Sequence, residues 1–437
     1  GQVISIIGSG LTSFGLAVWI FERTGAATPF ALTALFSTLP RILLAPVAGV
    51  VADRWNRRWI MILADTGSAL VTLAALFLLN SSHFAIEHIY LIALAGAVCG
   101  AFQEPAYTAS ITMLVPPQEL GRANGLVQLS QALEMLAAPI IAGALFPIIG
   151  LSGLITIDLI TFAAAVGALL VVAIPQPPAA PRTERSAARQ FAHDAGFGFR
   201  YLAARPGLLS LMLFAALVNF LLNAATVLTG PLVLTFSTPT ALGVIQSVVG
   251  LGMLAGSVII SVWGGPRRRI VGVLGFIGLM AFGLAFIGLF ASPWTVGAGL
   301  ALMVLGAPIA SGCSQAIFQA KVAAEVQGRV FAVRSMIARS MMPLAMLLAG
   351  PLADRVFEPL LRPGGAWADT WLGVWLGVGA GRGMGLMFIA AGALLLAATA
   401  AAALNPRLRN VEADLPDAVQ PAPAEAARGP EAVPAAA

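Results

Sequence analysis

Apolar runs of helical length alternate along the chain with short clusters of glycine, proline and charge. Cutting the runs at those clusters predicts twelve helices, near residues 1–21, 30–52, 59–80, 88–114, 122–149 and 152–174, then 206–234, 240–264, 270–290, 294–320, 330–352 and 375–404. Crossing a hydrocarbon core takes about 20 helical residues, and these runs are of that order. The one long polar internal segment falls between the sixth and seventh runs. The pattern therefore predicts an N-terminal six-helix bundle over 1–174, a linker over 175–205, a second six-helix bundle over 206–404 and a disordered Ala/Pro/acid-rich tail over 405–437. The fold class is an all-α membrane protein with twelve transmembrane helices in two pseudo-symmetric halves.

Composition supports the membrane assignment. Hydrophobic residues make up 59% of the 437 and charged residues only 10%, with a mean hydropathy of +0.91; soluble domains carry roughly 25% charged residues. The net charge of +5 comes from 23 arginines and one lysine, Lys321, against 19 acids. No basic run is interleaved with aromatics, so the expected partner is lipid and not nucleic acid. Cys99 and Cys313 lie in apolar runs, and His83, His88 and His193 are scattered. They assemble neither a disulfide framework nor a metal site. The chain opens on glycine inside an apolar stretch. The natural N-terminus is expected upstream, and the first run reads as an anchor rather than a removed signal.

Arginine placement orients the helices, because basic residues concentrate in short cytoplasmic loops. With the first helix running outward, the inner side receives Arg54, Arg57, Arg58, Arg122, Arg182, Arg185, Arg189, Arg200, Arg205, Arg267, Arg268, Arg269, Lys321, Arg329, Arg407 and Arg409, whereas short outer loops receive Arg23, Arg355, Arg362 and Arg382. Both termini are expected in the cytoplasm. The halves also echo one another: MLVPPQELGR at 113–122 matches AKVAAEVQGR at 320–329 in position, and DRWNRR at 53–58 matches GGPRRR at 264–269 more weakly. Parallel repeats of this kind build transporters that rock about a site near the midplane. Within the linker, RQFAHDAGFGFRYLAAR at 189–205 reads as amphipathic and is expected along the inner membrane surface, with a plain solvated linker as the alternative. Trp367, Trp371 and Trp375 read as an interfacial anchor on the outer side.

The loop after the second helix carries Gly49, Asp53, Arg54, Arg57 and Arg58, and in a six-plus-six chain this resembles the G-x-x-x-D-R-x-x-R-R loop of the major facilitator superfamily. FQEPAYTASITMLVPPQELGRANGL at 102–126 and GPLADR at 350–355 resemble the branch that holds macrolide efflux proteins and the enterobactin exporter. The resemblance implies that the 49–58 loop is a gate, latching the halves together on the cytoplasmic side while the site faces outward. A glycine near a helix end permits close backbone approach, and Asp53 can accept bonds from a neighbouring helix N-terminus. The arginines face anionic headgroups and acidic partners, and the bland alternative is that they only enforce topology. Two departures concern coupling: the fourth helix lacks the arginine of many drug/proton antiporters, and the fifth has only APIIAG at 138–143 as a loose antiporter motif.

Ionisable side chains inside spans cost on the order of 3 kcal/mol on insertion scales, so each is a functional candidate. Glu104, Glu134, Arg41, Asp65 and Asp158 are the candidates for proton coupling. Arg41 and Glu134 lie roughly 17 Å deep by the 1.5 Å rise per residue and could pair. Pro105 loosens the helix beside Glu104. Asp65 and Asp158 lie nearer helix ends, where snorkelling or a helix-end bond is the simpler account. Asn219, Asn223, Gln246, Gln315, Gln319 and Phe102 are the candidates for a substrate cavity, weighed against helix–helix hydrogen bonding for the amides and plain packing for Phe102, Phe220 and Phe318.

Catalytic motifs are missing. The only lysine follows alanine, so no phosphate loop is present, GVGAGRGMG at 377–385 departs from GxGxxG, and neither GxSxG nor HExxH occurs. The chain is expected to be no enzyme but a monomeric secondary exporter in the bacterial cytoplasmic membrane. It would move a small amphipathic drug-, macrolide- or siderophore-like molecule outward against entering protons, with no cofactor beyond the proton gradient. A facilitator, importer or lipid flippase of the same fold, and a non-transporting scaffold, are the alternatives.

Overall fold

The computed structural model describes residues 2–81, 84–116, 119–171 and 196–415; the side chains of Asp53 and Arg54 and most side chains over 120–133 also lie outside the described set. Helices α1 (Gln2–Thr24), α2 (Ala27–Arg54), α3 (Arg57–Leu79) and α4 (Ile86–Leu114) are followed by one helical element, Leu120–Val171, that bends at Gly150. Gly150 has φ 64°, a left-handed conformation that glycine adopts without strain, so the element divides into α5 (120–149) and α6 (151–171). The second half contains α7 (Pro206–Leu234), α8 (Pro239–Trp263), α9 (Arg269–Ile287), α10 (Pro293–Lys321), α11 (Ala324–Leu352) and α12 (Arg382–Leu404). Among the described residues eleven helices are long and apolar enough to span a membrane, and the one covering Glu134–Val171, at 38 residues, is long enough for two crossings. The protein is a multi-pass membrane protein.

Helix ends follow local chemistry. Asn56 accepts a bond from the amide of Trp59 (3.3 Å) to open α3, and Thr238 does the same for Ala241 (3.3 Å) to open α8. Pro206, Pro239 and Pro293 sit in the first turns of α7, α8 and α10, where a missing N–H costs nothing. Exposed residues at seven-residue spacing, Leu63, Leu70 and Phe77, give α3 a lipid face.

Three expectations are corrected. The twelfth helix begins at Arg382 and not near 375, because Gly377, Gly379 and Gly381 have φ of 83°, 143° and 81° and break the run. A short separate helix, Trp371–Leu376, carries Trp371 and Trp375, while Trp367 precedes it, so the three tryptophans do not share one helix. The tail is ordered as far as Leu415. Short helical turns at Pro406–Arg409 and Val411–Asp414 bury Leu408 and Val411 against the second bundle, and 416–437 lie outside the described residues.

The reason for that order lies in charge. Glu412 accepts bonds from the amides of Arg269 (3.0 Å) and Ile270 (2.9 Å), the free first-turn donors of α9. Lys321, ending α10, donates to the carbonyls of Glu412 (2.5 Å) and Leu415 (2.6 Å). Hydrogen bonds to charged groups contribute about 1.5–3 kcal/mol each. Lys321→Met is therefore expected to raise amide exchange over 406–414 at least about tenfold, read by hydrogen exchange.

Part of the linker is also seated. A helical stretch at 196–203 buries Leu202, and Phe197 lies under the Arg329 guanidinium (4.9 Å) at the start of α11, so this part packs on protein instead of floating along the membrane surface. The preceding 172–195, including His193, and His83 lie outside the described residues.

Candidate functional site

Within each half the helices pack on small residues. Gly8 and Gly15 of α1 abut Thr161 and Leu154 of α6, and Gly283 and Gly299 bring α9 against α10. Such residues let backbones approach where no hydrophobic effect drives association. The contacts between halves have a direction. The side carrying the 53–58 loop is called the basic side and the opposite one the far side. On the far side Gly143 of α5 meets Gly243 of α8, Thr240 donates to the Gly143 carbonyl (2.8 Å), and the Phe30 ring covers Gly230 of α7. Ala31, Leu35, Val227 and Met346 form a buried cluster shared by α2, α7 and α11. The Ser247 hydroxyl donates to the Leu136 carbonyl (2.7 Å) near mid-depth. The Thr240, Ser247 and Asp354 bonds thus join the halves from the far side to mid-depth. Toward the basic side α2 exposes Leu43, Val47 and Val50, and α8 exposes Leu251, Leu254, Val258 and Val262, although both helices bury their far-side turns.

A Cβ on Gly243 would run into the Pro139 carbonyl, which is backbone and cannot rotate away. Gly243→Ala is accordingly expected to cost about 1–3 kcal/mol through overpacking, seen as a lower thermal midpoint of the purified protein.

The far side carries one further device. The Asp354 carboxylate, at the end of α11, accepts from the amides of Ala27 (2.9 Å) and Thr28 (2.7 Å), the first two residues of α2. Four residues earlier Gly350 lies against the Thr28 backbone, where a Cβ would be 2.6 Å from Thr28 Cα. Ala26 offers no side-chain cap of its own, so an acid from the other half serves the orphan donors of α2. The Gly-x-x-Ala-Asp-Arg of 350–355 repeats that of 49–54 letter for letter.

At the basic side Arg57 and Arg58 of the 49–58 loop donate to carbonyls of their own half. Arg57 donates to the carbonyls of Ala52 (3.3 Å) and Ala109 (2.7 Å), and Arg58 to those of Leu169 (2.8 Å) and Leu170 (2.6 Å). The expected headgroup contacts are thus replaced, for these two, by the C-terminal carbonyls of α2, α4 and α6, where cations are favoured by the helix dipole. Gly49 has nothing within 4 Å of a built Cβ, so no close approach uses it in this state. The Asp53 and Arg54 side chains lie outside the described residues.

The ionisable residues separate into two groups. Asp65 and Asp158 are fully buried inside the first half, which corrects the snorkelling account. Gln103 donates to Asp65, and Ser9 (3.3 Å) and Thr161 (3.5 Å) donate to Asp158. Arg41 and Glu134 face one another instead. The Arg41 guanidinium of α2 covers Gly100 of α4, where a Cβ would be 2.8 Å from Nη2, and Arg41 is the electrostatic partner of Glu134 on α5. Glu104 stands one turn beyond Gly100, hence on the same face of α4, and is exposed.

In the second half a cavity of about 330 Å³ opens between α7, α10 and α11, and both Asn219 and Gln315 line it. Other expected cavity residues lie elsewhere. Asn223 gives its amide to the Asn219 carbonyl (2.7 Å), while Gln246 and Gln319 lie outside the lining. Phe102 packs against Ile60, Met61 and Ala106, a correction to its placement in the cavity. The lining includes an arginine the sequence reading passed over, Arg334, which donates to Gln315 and to Ser314 Oγ (3.1 Å) and lies over the Phe318 ring (4.6 Å). Its signal was visible: a guanidinium eleven residues into a helix of 29.

The family model described as Major Facilitator Superfamily matches residues 1–346. The chain belongs to that superfamily. Among superfamily relatives, macrolide efflux protein A of Streptococcus pyogenes is 27% identical over 364 residues, covering 82% of this chain and 88% of that protein. The multidrug efflux pump Tap of Mycolicibacterium fortuitum is 27% identical over 368 residues, covering 79% and 86%. Of solved structures, a bacterial homologue of the human lysosomal transporter Spinster, inward-facing and unoccupied, superposes with a TM-score of 0.60 at 17% identity, over 94% of this chain and 93% of that one. The superfamily fold accounts for the two six-helix halves, and the protein is a membrane transporter with efflux-pump relatives, not an enzyme.

Proposed function

We propose that the protein is a secondary exporter that moves a small amphipathic molecule out of the cytoplasm in exchange for protons, by alternating access. The observation that carries this reading is the one-sided contact between the halves. The bonds that join them run from the far side to mid-depth, α2 and α8 expose apolar side chains toward the basic side, and the Arg41–Glu134 pair and the α7–α10–α11 cavity lie around mid-depth. With the basic side taken as cytoplasmic and both termini there, as arginine placement suggests, this is an inward-facing state. The proposed location is the cytoplasmic membrane of a bacterium.

Protons would load at Glu134, which faces Arg41, with Glu104 on the α4 face that Arg41 covers as the second candidate carboxylate. Two latches of one design would alternate. Asp354 caps α2 when the far side is closed. When the basic side closes, Asp53 would cap the N-terminus of α11, whose preceding residue Ala323 supplies no side-chain cap. The efflux relatives support a macrolide as the first substrate to try.

The test is a proteoliposome assay of erythromycin movement under an imposed pH gradient. Proton-driven movement toward the far face supports the exporter reading. Equal movement with and without the gradient would indicate a facilitator, and no movement of any solute would favour a scaffold.

A further inference from the structure

Arg334 is the residue that the fold, the gate and the proton path leave unexplained. It lies about ten residues from the basic end of α11, roughly 15 Å along the axis at 1.5 Å per residue. A cation at that depth ordinarily pairs with an opposite charge or with backbone carbonyls. Among the described residues neither is shown for Arg334. Its partners are the Gln315 carbonyl oxygen, the Ser314 hydroxyl and the face of Phe318, all neutral. Arginine keeps its charge in such a place, since its guanidinium does not deprotonate in proteins.

The three neutral partners hold the guanidinium in one orientation. Gln315 engages Nη1, Ser314 engages Nη2, and the ring of the fully buried Phe318 supports the plane from below. Of the five N–H donors of an arginine, two are used. The rest belong to a side chain that lines a chamber of about 330 Å³, within the range of sites for small organic ligands. The chamber is itself amphipathic: Asn219, Ser311 and Ser335 add polar groups, and Met212, Phe331 and Ile337 add apolar ones.

We propose that Arg334 docks the anionic head of the cargo, so that the protein recognises amphipathic carboxylates through this arginine. The proposal rests on the exporter reading and assigns its cargo to amphipathic carboxylates in place of a macrolide, which has a basic amine and no carboxylate. A carboxylate meets the free edge of a positioned guanidinium with two parallel charge-assisted bonds, while its apolar body lies along Met212, Phe331 and Ile337. The acids of the first half and the cation of the second then have separate tasks: Glu104 and Glu134 carry protons, and Arg334 holds cargo. An anionic lipid headgroup offers the same chemistry, and the experiment separates the two sources.

The experiment measures binding of 1-pyrenebutyrate and of its uncharged methyl ester to the full chain in phosphatidylcholine nanodiscs, by pyrene fluorescence. The wild type is expected to prefer the carboxylate by about tenfold or more, and Arg334→Gln to bring the ratio to about one by weakening the carboxylate alone. Unchanged ester binding in that variant shows an intact cavity, and Arg334→Lys should keep part of the preference. Equal affinities in the wild type, or a preference that survives Arg334→Gln, would overturn the proposal. Repeating the measurement in phosphatidylglycerol discs should leave pyrenebutyrate binding in place; its loss there would assign the arginine to lipid and overturn the cargo role. Erythromycin pumping by a wild type that shows no carboxylate preference would sink this inference alone, with the exporter reading intact.

Discussion

Replacing Asp354 by asparagine is expected to release the far side of the protein. The carboxylate accepts two bonds from the first amides of α2, at 2.9 and 2.7 Å, and its charge faces the positive end of that helix. Asparagine keeps one acceptor oxygen and loses the charge. Charge-assisted bonds contribute about 1.5–3 kcal/mol each, so a net loss of about 2 kcal/mol is reasonable, and every 1.4 kcal/mol is tenfold in an equilibrium. The state closed on the far side should lose about thirtyfold of its advantage over its alternative. A cysteine placed at Val227, inside the shared Ala31–Leu35–Met346 cluster, reports the change. Its reaction with a membrane-impermeant maleimide from the far side should rise at least about tenfold in Asp354→Asn. An unchanged rate would mean that the two bonds decorate the closure without holding it.

The second large effect concerns coupling. Glu134→Gln is expected to bring pH-driven efflux down to the level of empty liposomes, while cargo counterflow, which moves no net proton, continues. The substitution keeps the shape and removes the proton-carrying group, leaving Arg41 without its electrostatic partner on α5. Glu104→Gln, on the α4 face that Arg41 covers, should lower the coupled rate too. Counterflow serves as the folding control. Loss of both activities would point to structural damage, and retention of both would remove Glu134 from the proton path.

Much of the fold was legible in the sequence because the membrane imposes it. Every backbone polar group in hydrocarbon must be satisfied within its own helix, so apolar runs mark α1–α12. The exceptions have local causes. The start of α12 was misplaced because alternating glycines at 377, 379 and 381 look apolar yet adopt positive φ. Order in 406–415 was missed because it depends on Lys321 and the first turn of α9, both remote in sequence.

The candidate site was legible only in part, for a similar reason. Intramembrane charge marks a residue as costly but does not say which way it faces. Asp65 and Asp158 turned into the first half, where hydroxyl and amide donors satisfy them, whereas Arg41 and Glu134 came together from helices nearly a hundred residues apart. Phe102 could be packing or cavity by type, and packing against Ile60 and Met61 decided it. The repeat of Gly-x-x-Ala-Asp-Arg at 49–54 and 350–355 was present in the letters. Its meaning required the fold, which places the second copy against the beginning of α2.

The central claim is that the halves swing as bodies between two closures, with Asp354 holding the far one. Distance measurement by double electron–electron resonance between spin labels at Trp55 and Arg268, exposed on the basic side of opposite halves, tests it most directly in a background with Cys99 and Cys313 replaced. The wild type should give a predominantly long distance, and Asp354→Asn should shift a large share of the population to a shorter one. One identical distribution in both proteins would contradict the account.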